Sequence, residues 1–135
     1  MPKVEPAKIW SLNYRLLTAV IMQVSTEIAS LGLEAKELFL LAELEDHPYP
    51  AELSACLSMP KPTVSVYVKR LEAAGFVRRE IDAEDLRRHK LLLTPAGRKV
   101  MTLGIARLSE AFGERLARLS TREQLELKEL LEKLS

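Results

Sequence analysis

Between Ala51 and Thr94 the chain places a short apolar helix, a tight connection, a second helix and two β-like runs in direct succession. Few folds accept that order. The first segment is Ala51–Leu57 (AELSACL), the connection is Ser58-Met59-Pro60, and the second helix lies within PKPTVSVYVKRLEAAG, Pro60–Gly75. Two helices joined by so short a turn make a helix-turn-helix, whose second helix fits the DNA major groove. The runs in FVRREIDAEDLRRHKLLL, Phe76–Ile81 and His89–Leu93, are separated by a charged turn and read as a hairpin, or wing, behind that helix.

The second helix carries its own local signals. Pro62 falls in the first turn, where a missing N–H costs little. Val64, Tyr67, Val68 and Leu71 recur at three- and four-residue spacings and form one core-facing stripe. Gly75 stands where a left-handed C′ residue is needed, and Phe76 folds back on the last turn. The other face offers Lys61, Thr63, Ser65, Val66, Lys69 and Arg70. Small residues there permit approach to base edges, Val66 suits a thymine methyl, and the cations reach phosphates.

The segment TVSVYVKRLEAAGFVRREIDAEDLRRHKLLLTPAGR resembles the MarR family of bacterial transcription regulators. It shares the recognition helix, a wing with an Asp-x-x-Asp-x-Arg pattern (Asp82, Asp85, Arg87), and a Leu-Thr at a helix start (Leu93-Thr94). Two positions depart from the family pattern. Pro60 stands where a Ser or Thr often caps the recognition helix, and Leu86 replaces an Arg that often follows the second Asp. The resemblance implies a homodimeric DNA-binding regulator, most often a repressor. Its first and last helices would pair with those of a second copy, and a small aromatic or phenolic effector would sit between dimer arm and winged domain. Trp10, Tyr14, Phe39 and Phe112 are the aromatic residues available to line such a cleft, each of them equally suited to a core.

Net charge is only +1 over 135 residues, but it is unevenly spread. Between Cys56 and Val100 ten cations face five acids, whereas Leu33–Ala55 holds six acids against Lys36 alone. A basic segment next to an acidic one focuses the field on one surface, as DNA binding requires.

The rest of the chain reads as helix. From Ala7 to about Leu31 there is no Pro or Gly, and two apolar sets (Ile9, Leu12, Leu16, Val20, Val24, Ile28, Leu31; Trp10, Tyr14, Leu17, Ile21) make a surface too wide for one partner. Leu33–Asp46 forms the next helix, with Leu38, Leu41 and Ala42 inward and Glu outward. His47-Pro48-Tyr49-Pro50 ends it. Thr94 caps and Pro95 opens a long helix striped by Val100, Met101, Ile105, Leu108, Phe112, Leu116 and Leu119, and Ser120–Glu123 is a capping box for a last helix. The expected fold is therefore mainly α with a small β-hairpin wing: a winged helix-turn-helix over residues 33–94, flanked by dimerisation helices at 1–32 and 95–135.

In the wing, Asp82 and Asp85 accept turn N–H groups and hold Arg87, which then reaches the minor groove; Arg88 stands beside it. Cys56, between Ala55 and Leu57, reads as a small buried hydrophobe, and one cysteine excludes an internal disulfide framework. His47 and His89 lie far apart and near no cysteine cluster, so no metal or other cofactor is expected. No nucleophile elbow, zinc-protease helix or phosphate loop is present, which argues against an enzyme. With no leader pattern and no long apolar run, the cytoplasm is the expected compartment. The expected function is sequence-specific DNA binding as a homodimer on a pseudo-palindrome. The alternative is a winged helix that binds protein rather than DNA, which the basic face of the second helix disfavours.

Overall fold

The computed structural model describes residues 1–135, arranged as six helices and one two-stranded antiparallel sheet. The elements are α1 (Pro6–Ser30), α2 (Ala35–Glu43), α3 (Pro50–Leu57), α4 (Lys61–Ala73), β1 (Val77–Ile81), β2 (His89–Leu93), α5 (Pro95–Leu116) and α6 (Thr121–Leu134). The chain divides into two compact units. One comprises Met1–Val24 with Arg107–Ser135, the other Ser25–Ala106. No single helix is long and apolar enough to cross a membrane.

The larger unit holds the helix-turn-helix and the hairpin. Its core consists of Ile28, Leu33, Leu38, Leu40, Leu41, Leu44, Leu53, Val64, Val68, Leu71, Val77 and Leu91, all nearly inaccessible to solvent. The stripe expected on α4 is present: Val64, Val68 and Leu71 are buried and Tyr67 is half-buried. In α2 the phase differs from the sequence reading. Leu40 and Leu44 join Leu38 and Leu41 inside, while Ala42 is exposed. Glu37, expected outside, is buried, because its carboxylate accepts the backbone N–H of Glu34 at 2.9 Å and so closes a capping box at the helix start.

Helix ends follow their local signals. Gly32 and Gly75 adopt φ values of 84° and 82°. At each, the N–H of the next residue returns to a carbonyl five residues back, Leu33 to Ile28 and Phe76 to Leu71, the bond of a Schellman cap. The helix-turn-helix connection is made differently. Ser58 takes the left-handed conformation at φ 52°, and Ser54 Oγ donates to the carbonyl of Met59 across the turn. Recognition helix α4 begins at Lys61 with Pro60 as an N-cap that supplies no side-chain acceptor. Thr94 caps α5 as expected, its Oγ1 accepting the N–H of Gly97 at 3.0 Å and donating to the Gly75 carbonyl at 2.6 Å.

In the smaller unit, α1 buries Val20 and Val24 but exposes Ile9, Trp10, Leu12, Tyr14 and Leu17. The capping box of α6 is complete: Ser120 Oγ accepts from the N–H of Glu123, whose carboxylate accepts from the N–H of Ser120. An open groove of about 650 Å³ runs along α5 and α6, lined by Phe112, Leu116, Leu125, Leu127 and Leu131.

Candidate nucleic-acid interface

Three parts of the larger unit carry the candidate site: the outward face of α4, the wing, and the segment before α3 that props the wing. On α4, Lys61, Val66 and Lys69 are exposed, and neither lysine has an acidic partner. Thr63 and Ser65 are half-buried at the edges of that face. Arg70 is placed differently from its neighbours. Its Nη2 lies 3.0 Å from Glu34 and 3.8 Å from Glu37, which ties α4 to the start of α2. Those carboxylates push its already high pKa further up, so its charge compensates buried Glu37 as well as facing solvent.

The wing pairs Val77 with Leu93 through Ile81 with His89, one residue against one. Leu91 extends the ladder by donating to the Pro48 carbonyl at 2.8 Å. At the tip, Asp82 Oδ1 accepts the N–H of Glu84 at 2.9 Å and Asp85 Oδ1 accepts the N–H of Arg87 at 3.0 Å, as the turn chemistry predicts. Asp85 Oδ1 also accepts the Arg87 Nε at 3.3 Å, while the Arg87 side chain stays 92% exposed. That arginine is both steered and available.

Arg88 is held in another way. Its guanidinium carbon lies 3.5 Å from the centre of the Tyr49 ring, a cation–π stack. Tyr49 in turn donates its hydroxyl to Asp82 Oδ2 at 2.6 Å. This hydrogen bond, with the Glu84 N–H second and the charge of Arg88 beyond it, holds the Asp82 carboxyl below the usual carboxylate range. The same bond raises the Tyr49 phenol, since ionising it would place two anions side by side. Tyr49 thus fixes both ends of the turn, and it was not among the residues expected at the site. Its only sequence signal is an aromatic between two prolines, Pro48 and Pro50.

Several other cations have structural partners. Arg79 Nε donates to Glu72 at 2.8 Å, joining β1 to α4, and Arg98 pairs with Glu45 at 2.6 Å. Of the cations between residues 57 and 99, Lys61, Lys69, Lys90 and Lys99 are exposed without an acidic partner, and Arg87 is 92% exposed beside Asp85.

The aromatic residues considered for a ligand lie in both units. Trp10 and Tyr14 are mostly exposed, with ring centres 6.3 Å apart, and Phe112 is half-buried in the same unit. Phe39 is half-buried in the larger unit. Cys56 is exposed, contrary to the sequence reading. Helix α3 is only eight residues long and buries a single residue, Leu53, so its small side chains remain at the surface.

Comparison with known proteins agrees with this geometry. The MarR family model matches residues 31–88. The HTH-type transcriptional repressor Rv2887 of Mycobacterium tuberculosis is 31% identical over 132 residues, covering 96% of this chain and 95% of the relative. The crystal structure of that MarR family protein with salicylic acid superposes with a TM-score of 0.75 at 30% identity, covering 98% of each chain. A probable transcriptional regulator from Pseudomonas aeruginosa gives a TM-score of 0.78 at 28% identity, covering 94% of this chain and 96% of its own. A full-length match at that identity, on a winged helix-turn-helix with this wing, places the chain in the MarR family of transcription regulators.

Proposed function

We propose that the chain is a homodimeric repressor that reads a pseudo-palindromic operator, with α4 in the major groove and Arg87 in the adjacent minor groove. The observation that carries this reading is the pairing of an uncompensated basic face on α4 with a wing-tip arginine that is 92% exposed yet oriented by Asp85. A side chain already ordered loses less entropy on binding. Lys61 and Lys69 serve as phosphate contacts, Thr63, Ser65 and Val66 face base edges, and Arg70 mainly sets the pose of α4. Arg88 supports the wing from the Tyr49 ring.

The exposed apolar residues of α1 and α6, with Leu125, Leu130, Leu131 and Leu134 all largely solvent-accessible, favour a second copy as their cover. Two recognition helices would then meet half-sites about one helical turn apart.

Selection from a random duplex pool, followed by anisotropy titration at several salt concentrations, tests the proposal. A pseudo-palindromic winner bound by a dimer with a steep salt slope is expected. Enrichment of no sequence would instead favour a winged helix that binds protein.

A small aromatic acid is a candidate effector, because the relative of known structure was solved with salicylic acid and with p-aminosalicylic acid. Such a ligand releases DNA only if it binds better to the DNA-incompetent conformation. Salicylate is expected to raise the melting temperature and weaken operator binding. If neither changes, salicylate is not its effector.

A further inference from the structure

We propose that Glu43, His47 and Cys56 form a binding site for a thiophilic divalent cation, Zn²⁺ being the ion their donor set fits. Glu43 ends α2, His47 lies in the turn that follows, and Cys56 lies in α3. A carboxylate oxygen, an imidazole nitrogen and the thiol sulfur of these three all lie within 4.8 Å of one another. The Cys56 Sγ is 3.5 Å from Glu43 Oε2, and the His47 Nε2 is 4.0 Å from that same oxygen. Tetrahedral zinc, with bonds of about 2.0–2.3 Å, separates its ligand atoms by roughly 3.2–3.8 Å, so small side-chain rotations suffice.

The backbone brings these donors together. His47 donates its N–H to the Glu43 carbonyl at 2.9 Å, one helical turn on, which stacks the two side chains on one face. Helix α3 packs against α2 and presents Cys56 to that face. The other imidazole nitrogen, His47 Nδ1, lies 4.0 Å from Glu52 Oε2. A small rotation would bring that carboxylate into hydrogen-bond reach of Nδ1, the contact that turns Nε2 toward a metal. Three protein ligands leave the fourth position to water. The mixed sulfur, nitrogen and oxygen set selects against Mg²⁺ and Ca²⁺, which take oxygen ligands.

The thiol must lose its proton to bind. Partial desolvation, the bond to Glu43 and the charge of Asp46 hold Cys56 above its ordinary pKa, so without metal it is neutral at pH 7. The site is faced by Glu43, Asp46, His47 and Glu52, whose carboxylates favour a cation there. Bound metal would clip α3 to the end of α2, across the turn that also carries Tyr49.

Titration of the tag-free protein with Co²⁺, followed by displacement with Zn²⁺, provides the test. One Co²⁺ per chain with a thiolate-to-metal charge-transfer band is expected, abolished in Cys56→Ser. His47→Ala should weaken Zn²⁺ binding tenfold or more, whereas His89→Ala should leave it unchanged. Zn²⁺ should raise the melting temperature of the wild type but not of Cys56→Ser. A spectrum without thiolate ligation, or Zn²⁺ binding that survives both Cys56→Ser and His47→Ala, overturns the proposal. None of these readouts involves DNA, so they stand apart from the test of the repressor reading.

Discussion

The hydroxyl of Tyr49 donates a 2.6 Å hydrogen bond to Oδ2 of Asp82, and the same ring carries the Arg88 guanidinium 3.5 Å from its centre. One side chain before α3 thereby sets the turn at the far end of the hairpin, thirty-three residues on. The Asp82 carboxyl is depressed chiefly by this bond. A depressed carboxyl contributes stability above the ordinary value of 3.8 and loses that contribution as pH falls below it. In Tyr49→Phe the carboxyl should titrate closer to 3.8, read by carbon NMR of the Asp82 side chain. An unmoved titration would mean that the turn N–H groups and the charge of Arg88 hold it down without Tyr49. Operator affinity should fall several-fold in the same variant, with Arg88 still able to stack.

Arg87→Ala removes the most exposed oriented cation of the wing. Affinity for the selected operator should drop about tenfold, and the slope of log affinity against log salt should shrink by about one. Anisotropy at four salt concentrations reads both. A normal slope with normal affinity would take the wing tip out of the DNA interface.

Arg70 and Lys69 are adjacent in sequence but differ in role. Arg70→Ala leaves buried Glu37 without its cation, whereas Lys69 has no partner to lose. Arg70→Ala should therefore lower the melting temperature by several degrees, and Lys69→Ala should lower operator affinity with little thermal effect. The reverse ordering would return Arg70 to the set of direct DNA contacts.

These assignments show what was legible in the sequence. Signals confined to a few residues translated directly: Gly75 into a left-handed cap, Ser120-Thr121-Arg122-Glu123 into a capping box, Asp82 and Asp85 into turn acceptors. The periodicity of α4 gave its buried face because Lys and Arg mark the other side. Helix α2 offered no such contrast. Its run Leu38-Phe39-Leu40-Leu41-Ala42 is apolar all round, so Leu40 and Ala42 could exchange places without violating any pattern, and only packing decided between them. Distance in sequence hid the rest. Arg70 reaches back thirty-six residues to Glu34, and Cys56 reaches thirteen to Glu43. No local spacing encodes either, and the surface position of Cys56 follows from how little of α3 the core covers.

Ser58 holds φ 52° at the turn between α3 and α4, a conformation that costs a residue with a Cβ about 1–2 kcal/mol. Ser58→Gly removes that strain but adds backbone entropy to the unfolded chain. The net gain should be about 0.5 kcal/mol by urea denaturation, and Ser58→Val should be destabilising. A loss of stability in the glycine variant would mean that the Ser58 side chain contributes more than the turn geometry reveals.

Two glycines of α5 separate backbone from side-chain crowding. A Cβ on Gly97 would stand 2.0 Å from the carbonyl oxygen of Phe76 and 2.8 Å from its carbonyl carbon. That carbonyl is fixed, since it accepts the N–H of Thr94 at 3.1 Å just after β2. The start of α5 would have to move away from the strand, so Gly97→Ala should cost about 3 kcal/mol or more, the upper end of overpacking penalties. A Cβ on Gly104 would stand 2.6 Å from Leu38 Cδ1, the far end of a flexible side chain. Leu38 is fully buried, so its rotation is not free, but alanine also gains about 1 kcal/mol of helix propensity over glycine. Leu38 Cδ2 at 3.0 Å and Cγ at 3.4 Å crowd the same position. Overpacking of about 1–3 kcal/mol therefore outweighs that gain, and Gly104→Ala should cost up to about 2 kcal/mol by urea denaturation, less than Gly97→Ala. If Gly97→Ala is equally mild, α5 can slide relative to β1. The wing would then be joined to the long helix more loosely than the hydrogen bonds of Thr94 imply.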